Sequence, residues 1–115
     1  MSVSTYKITK NISAKKVEVT VGEQMSIPEA QRFATEFQQT VASVDASNFE
    51  LDVDCTGMKV LNQEMAEALE AAMGLYLQAG FKKVIFVVQN NTILKMQLSR
   101  IARKAGLTNA DVINK

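Results

Sequence analysis

The sequence predicts a single α/β domain over residues 1–115, with a four-stranded, mostly parallel sheet and helices mainly on one face. The chain has 115 residues and is 47% hydrophobic, which suits one core. Its hydrophobic patterns run strand, strand, helix, strand, helix, strand, helix. Three of the four strands have a polar face, so we expect the helices to share the other face. Right-handed crossovers then give the strand order 1-2-3-4, with the first strand antiparallel.

The first two strands are predicted to form a hairpin. Apolar and polar residues alternate through residues 6–13 and again through residues 17–21, with Ala14 and Lys15 between the two runs. A connection this short pairs two strands antiparallel. The apolar positions are Tyr6, Ile8, Ile12, Val17, Val19 and Val21.

The first helix is predicted to begin at a capping box. Ser26 and Glu29 have the spacing of this motif, and Pro28 suits the first helical turn. Apolar residues then recur every three or four positions, which predicts one buried face. These residues are Ile27, Ala30, Phe33, Ala34, Phe37, Val41 and Val44.

The third strand and second helix meet at a glycine turn. Residues 51–56, LDVDCT, alternate in polarity, which predicts a strand with one buried face. Gly57 follows, and Asn62 is a suitable cap for a helix that begins at about Gln63 and ends at Gly80. The expected buried stripe of this helix is Met65, Leu69, Met73 and Leu77.

The last predicted strand is the unbroken apolar run VIFVV at residues 84–88, which is typical of a central strand. Thr92 is a suitable cap for the third helix, and Gly106 is a suitable stop. From Thr108 we expect only a short turn. The expected buried stripe of the third helix is Leu94, Leu98, Ile101 and Ala105.

Charge is unevenly distributed along the chain, although the formal net charge is only +1. Residues 18–70 contain eleven acidic residues against two basic ones, whereas residues 71–115 contain seven basic residues against one acidic. The small net charge gives no case for nucleic-acid binding. The first ten residues contain no apolar stretch of signal-peptide length and no later run approaches a membrane span, so we expect a cytoplasmic protein without membrane insertion. Cys55 is expected to be a core residue in a reducing compartment.

The residue types argue against an enzyme. The chain has no histidine, the commonest acid–base group and metal ligand, and it has no glycine-rich phosphate loop. Helices on one face also exclude the crevice of a doubly wound nucleotide-binding fold. We therefore expect no catalytic residue, no metal and no cofactor. An enzyme that uses only Asp52, Asp54 and Glu64 is a weaker alternative, because solvation explains polar residues on a strand face.

The region around the second helix start resembles the STAS domain, which bacterial anti-sigma factor antagonists share with the tails of sulfate transporters. The family pattern is a strand of type L-x-L-D, a Ser-Gly turn, two apolar residues and D-S-S-G at the start of a helix. Here it corresponds to LDVDCTG at residues 51–57, followed by VLNQEM at residues 60–65. The dipeptide at residues 79–80, the VIFVV strand and RKAGL at residues 103–107 also resemble the family. The resemblance implies a single STAS-like domain over the whole chain.

The resemblance implies a non-catalytic protein-binding or regulatory module. In the antagonists, a partner anti-sigma kinase phosphorylates the second serine of D-S-S-G, and the dephosphorylated form binds that partner. Glu64 matches this phosphoserine, while Asn62 and Gln63 replace the Asp and the other Ser, so the kinase switch is lost. The expected partner is a kinase-like anti-sigma factor or a transporter subunit. The expected partner-binding residues are Met58, Lys59, Asn62, Gln63, Glu64 and Glu67.

Several alternatives stay open at this point. Glu64 either fixes a phosphorylated-like charge or is a solvated acid that suits the helix dipole. The alternative function is an accessory regulatory subunit of a transporter, or a STAS-like domain that binds a small ligand or lipid. A homodimer through the edge strand at residues 6–13 or the uncovered sheet face is also possible on this pattern.

The third helix carries Lys95, Arg100, Arg103 and Lys104 without an acidic residue among them. These cations either dock an acidic partner or phosphate groups, or they form a solvated face that suits the helix dipole. No aromatic residues are interleaved with them, so stacking on nucleic-acid bases is not expected.

Overall fold

The computed structural model describes residues 6–21, 27–58, 61 and 63–114. Within these residues the fold consists of three α-helices, one short 3₁₀ turn and a five-stranded sheet. The elements in chain order are β1 (Tyr6–Asn11), β2 (Lys16–Val21), α1 (Ile27–Ala42), the 3₁₀ turn Ala46–Asn48, β3 (Glu50–Asp54), α2 (Gln63–Ala79), β4 (Lys83–Val88), α3 (Thr92–Ala105) and β5 (Ala110–Asn114).

The strand order is β1-β2-β3-β4-β5. β1 pairs antiparallel with β2, and every later pair is parallel, which confirms the predicted order and the antiparallel first strand. The register aligns one apolar row across all five strands. This row is Ile8, Val19, Val53, Phe86 and Val112.

The prediction of four strands is wrong, because the tail from Thr108 forms β5 rather than a short turn. β5 adds to the free edge of β4, with Phe86 opposite Val112. Asn109 fixes the entry to β5, since its side-chain amide donates to the carbonyl oxygen of Phe81 at 2.8 Å. Edge pairing of this kind supplies backbone hydrogen bonds that a short sequence pattern does not reveal.

The core lies on one face of the sheet. Inward residues of β2, β3 and β4 are buried, whereas the opposite phase is exposed or half-buried, as predicted for helices on one face. Aromatic rings fill the space between the sheet and α1 and α2, and the ring centroids of Phe37 and Tyr76 lie 5.0 Å apart. Edge-to-face contacts of this kind stabilise a core beyond the area that they bury.

Two helices differ in detail from the sequence prediction. In α2 the buried stripe includes Tyr76, while Leu77 is 46% exposed. Asn91 rather than Thr92 caps α3, because its side-chain oxygen accepts from the Leu94 N–H at 2.9 Å. Gly80 and Gly106 end α2 and α3 at positive φ, as predicted. The predicted caps Ser26 and Asn62 lie outside the described residues.

Candidate functional site

The turn after β3 is held by local hydrogen bonds. Asp54 Oδ1 accepts from the Thr56 N–H at 2.9 Å and from the Thr56 hydroxyl at 2.6 Å. The Cys55 N–H donates to the Val87 carbonyl at 2.8 Å, and the Met58 N–H donates to the Cys55 carbonyl at 3.0 Å. Residues 54–58 therefore form a hydrogen-bonded turn at the end of β3.

The segment just before α2 is tied to α3 by one side chain. Gln97 Oε1 accepts from the Leu61 N–H at 2.9 Å, and Gln97 Nε2 donates to the Leu61 carbonyl at 3.1 Å. Leu61 is itself buried in the core. A paired contact of this kind satisfies both backbone groups of Leu61 and links the chain shortly before α2 to α3.

Three of the expected partner-binding residues are exposed at the start of α2. Gln63, Glu64 and Glu67 lie in its first two turns with exposed side chains. We call these three residues the α2-start surface. Met58 is different, because it is buried with 5% exposure and its side chain is not available to a partner. The remaining two residues, Lys59 and Asn62, lie outside the described part of the chain.

The nearest nucleophilic side chain is shielded. Cys55 is fully buried, and this burial raises the pKa of its thiol to about 12, with a smaller contribution from the charge of Asp54. Burial also raises the pKa of the Tyr76 hydroxyl well above its usual value. Both groups are therefore neutral near pH 7, and the Cys55 thiol lacks the thiolate character that nucleophilic catalysis requires.

The uncovered face of the sheet carries a charged cluster. Lys16 Nζ lies 3.5 Å from Glu50 Oε2 and 3.4 Å from Asp52 Oδ2. The Asp52 charge is the main cause of a raised pKa at Lys16. Among the described residues, no three Cys, Asp or Glu side chains are arranged to hold a metal ion. The three side chains are half-buried at the edge of solvent, and an ion-pair network of this kind contributes little stability.

An apolar hollow lies between α1 and α2. Its volume is about 270 Å³, and the side chains around it come from both helices and the end of β2. Small residues on α2 leave the space that the hollow occupies. The lining residues are Val21, Phe33, Ala34, Met65, Ala68, Leu69, Ala71, Ala72, Leu75 and Tyr76.

Sequence reasoning missed an exposed apolar pair on α3. Ile93 and Met96 are each 59% exposed, and they share a helix face with Arg100 and Arg103. We call these four residues the α3 outer stripe. The sequence could have indicated their exposure, because the helical spacing places Ile93 and Met96 outside the predicted buried stripe of α3. Gln97 was also missed, because nothing in a sequence links a glutamine to a backbone 36 residues away.

No model of a known protein family matches the chain, and no curated protein is significantly similar to it. The resemblance to STAS domains therefore rests on the sequence pattern alone. In the described part of the chain, no helix has the length and apolarity needed to cross a membrane.

Proposed function

We propose that this chain is a non-catalytic, STAS-like interaction module of the cytoplasm that binds a protein partner through the α2-start surface. The observation that carries the proposal is the exposure of Gln63, Glu64 and Glu67 on a helix whose entry is fixed by Gln97. An ordered, exposed helix start can bind a partner with little further loss of conformational freedom. The partner class that the resemblance suggests is a kinase-like anti-sigma factor or a transporter subunit.

Glu64 gives this surface a permanent negative charge. A carboxylate carries about one charge where a phosphoserine carries about 1.5 to 2, and no kinase or phosphatase can change it. The charge also suits the first turn of α2, where the helix dipole favours an acid. The partner therefore meets one constant charge state, and regulation by phosphorylation at this position is lost.

Differential capture from the native cells tests the proposal. The tagged wild-type chain and the variants Glu64→Lys and Glu18→Lys are compared by quantitative mass spectrometry of what co-purifies. Glu18 is a matched control, because it is an exposed acid on the opposite side of the sheet. We expect a protein that wild type and Glu18→Lys recover equally and Glu64→Lys loses. Recovery of the same proteins by all three chains would contradict the proposal.

The apolar hollow favours a second candidate function, the binding of a small apolar ligand or lipid chain. A hollow of about 270 Å³ with apolar walls is of the kind that binds apolar ligands. A ligand that binds only the folded chain raises its melting temperature by mass action. We expect a medium-chain fatty acid to raise the melting temperature of wild type, and to raise that of Ala72→Phe much less. An unchanged melting temperature in wild type would remove this candidate.

A further inference from the structure

We propose that the α3 outer stripe is the second half of the partner interface and that it selects a protein segment carrying apolar side chains beside carboxylates. The proposal rests on the proposed function, because it names the chemistry of the partner that the α2-start surface binds. The α3 outer stripe is Ile93, Met96, Arg100 and Arg103.

The apolar end of the stripe is exposed without an internal reason. Ile93 and Met96 lie one turn apart, each 59% exposed, while the core contacts of α3 come from other residues. The core residues of α3 are Leu94, Leu98, Ile101 and Ala102. Two neighbouring large apolar side chains on one helix form a patch, and patches mark interaction surfaces more often than scattered single residues do.

The other end of the stripe carries positive charge that no described carboxylate neutralises. α3 contains no acidic residue, and among the described residues no carboxylate forms an ion pair with Arg100 or Arg103. Lys104, beside them, is paired with Glu70 at 3.3 Å. The helix dipole accounts for a cation in the last turn, such as Arg103, but not for Arg100 nearer the middle or for the apolar pair. The stripe therefore complements an acidic, partly apolar surface.

The helix that carries the stripe is capped at both ends and packs against α2. Asn91 caps the start of α3 and Gly106 closes its end, so the exposed side chains project from a fixed helix. Gln97 joins α3 to Leu61 just before α2, and Lys104 joins it to Glu70 further along. α2 and α3 pack side by side between these contacts, so the start of α2 lies beside the helix that carries the stripe.

Protein fits this combined surface better than a membrane or a nucleic acid. Glu64 and Glu67 are exposed on the neighbouring helix α2, and their negative charge would repel the phosphates of anionic lipid or nucleic acid. α3 also has no aromatic side chain on which a base could stack. A folded partner can place its carboxylates against the two arginines and keep them away from the acids of α2.

The test titrates the ¹⁵N-labelled full chain with three defined probes. One is an amphipathic helical peptide of leucine and glutamate, the second is its leucine–lysine counterpart, and the third is phosphatidylcholine vesicles containing phosphatidylglycerol. We expect saturable binding of the glutamate peptide only, with amide shifts concentrated at the stripe and the α2-start surface. No binding of this peptide, shifts elsewhere, or stronger binding of the lysine peptide or the vesicles would overturn the proposal.

Matched variants sharpen this test. Ile93→Ser and Arg103→Glu should each lower the affinity for the glutamate peptide about tenfold, because each variant loses an interface contact. Ile12→Ser makes the same change elsewhere, at a residue whose 60% exposure matches that of Ile93, and Lys7→Glu reverses the charge of an exposed cation elsewhere. We expect both controls to bind like wild type, and equal weakening by a control would overturn the proposal.

Capture with the same variants separates this inference from the proposed function. Suppose that Glu64→Lys loses the cellular partner while Ile93→Ser and Arg103→Glu keep it. This result would support partner binding by the α2-start surface and would overturn the proposal that the stripe is part of the interface. If Glu64→Lys also keeps the partner, the proposed function itself fails. Loss of the partner in all three variants supports both the proposed function and the role of the α3 outer stripe.

Discussion

Substitution of Gln97 should destabilise the fold measurably, because one side chain satisfies both backbone groups of Leu61. In Gln97→Ala the bonds of 2.9 and 3.1 Å are lost, and each contributes about 1 kcal/mol net. Leu61 is buried, so water replaces these bonds poorly. We expect the free energy of unfolding to fall by about 2 kcal/mol, measured by urea unfolding with an unchanged slope against denaturant.

Two further variants control this measurement. Gln39→Ala makes the same change at an exposed position of α1, so it reports helix propensity alone and should lie within about 0.5 kcal/mol of wild type. Gln97→Glu keeps the acceptor but loses the donor and places a carboxylate against the Leu61 carbonyl. If Gln97→Ala is no less stable than Gln39→Ala, the tether has no energetic role and the reasoning is refuted.

Three further predictions concern the caps of α3 and the buried thiol. Asn91→Ala removes the acceptor for the Leu94 N–H and should lower the free energy of unfolding by about 1 kcal/mol, measured by thermal or urea unfolding. An unchanged free energy of unfolding would show that this cap does not stabilise the fold. Gly106→Ala should cost about 1–2 kcal/mol, because φ is +88° while the new methyl group meets only an ordinary contact. Burial raises the pKa of the Cys55 thiol to about 12 in the folded chain, so the unfolded chain loses this proton first and stability falls as the pH rises from the ordinary thiol pKa toward this value. In a pH series, Cys55→Ala should show a shallower fall than wild type, and an identical fall would contradict a buried thiol.

The sequence predicted the fold best where a local hydrophobic pattern is enough to decide which side chains are buried. In β2 the alternation of valine with polar residues corresponds directly to a strand with one buried face. The three-to-four spacing of Phe33 and Phe37 in α1 places both rings in the core. Parallel pairing and strand order follow from the handedness of the crossovers rather than from any single residue. These features were predicted because local chemistry and topology agree.

The missed features depend on contacts between distant segments. β5 is held at the edge by β4, and its inward residues Ala110 and Val112 are too few to form a clear pattern. In α2, Tyr76 and Leu77 are adjacent, and only the position of the neighbouring aromatic rings decides that the tyrosine is buried. Asn91 and Thr92 are both good caps, so backbone geometry selects between them.

Among the predicted partner-binding residues, the exposure of Glu64 and Glu67 agrees with the sequence analysis and the burial of Met58 does not. The exposure of Glu64 and Glu67 follows from helical phase, whereas Met58 turns inward because the chain bends back to its own strand end at Cys55. The α3 outer stripe was only half predicted. Its arginines are visible in the sequence as a run of bases, but the exposure of the apolar pair depends on which face of α3 meets the core.

The affinity of the captured partner for purified chains tests the central claim most directly. Isothermal titration calorimetry compares wild type with Glu64→Lys and with the control Glu18→Lys. We predict that Glu64→Lys weakens binding about tenfold or more, equivalent to about 1.4 kcal/mol, while Glu18→Lys binds like wild type. Equal affinities for all three chains would contradict the claim that the α2-start surface binds the partner.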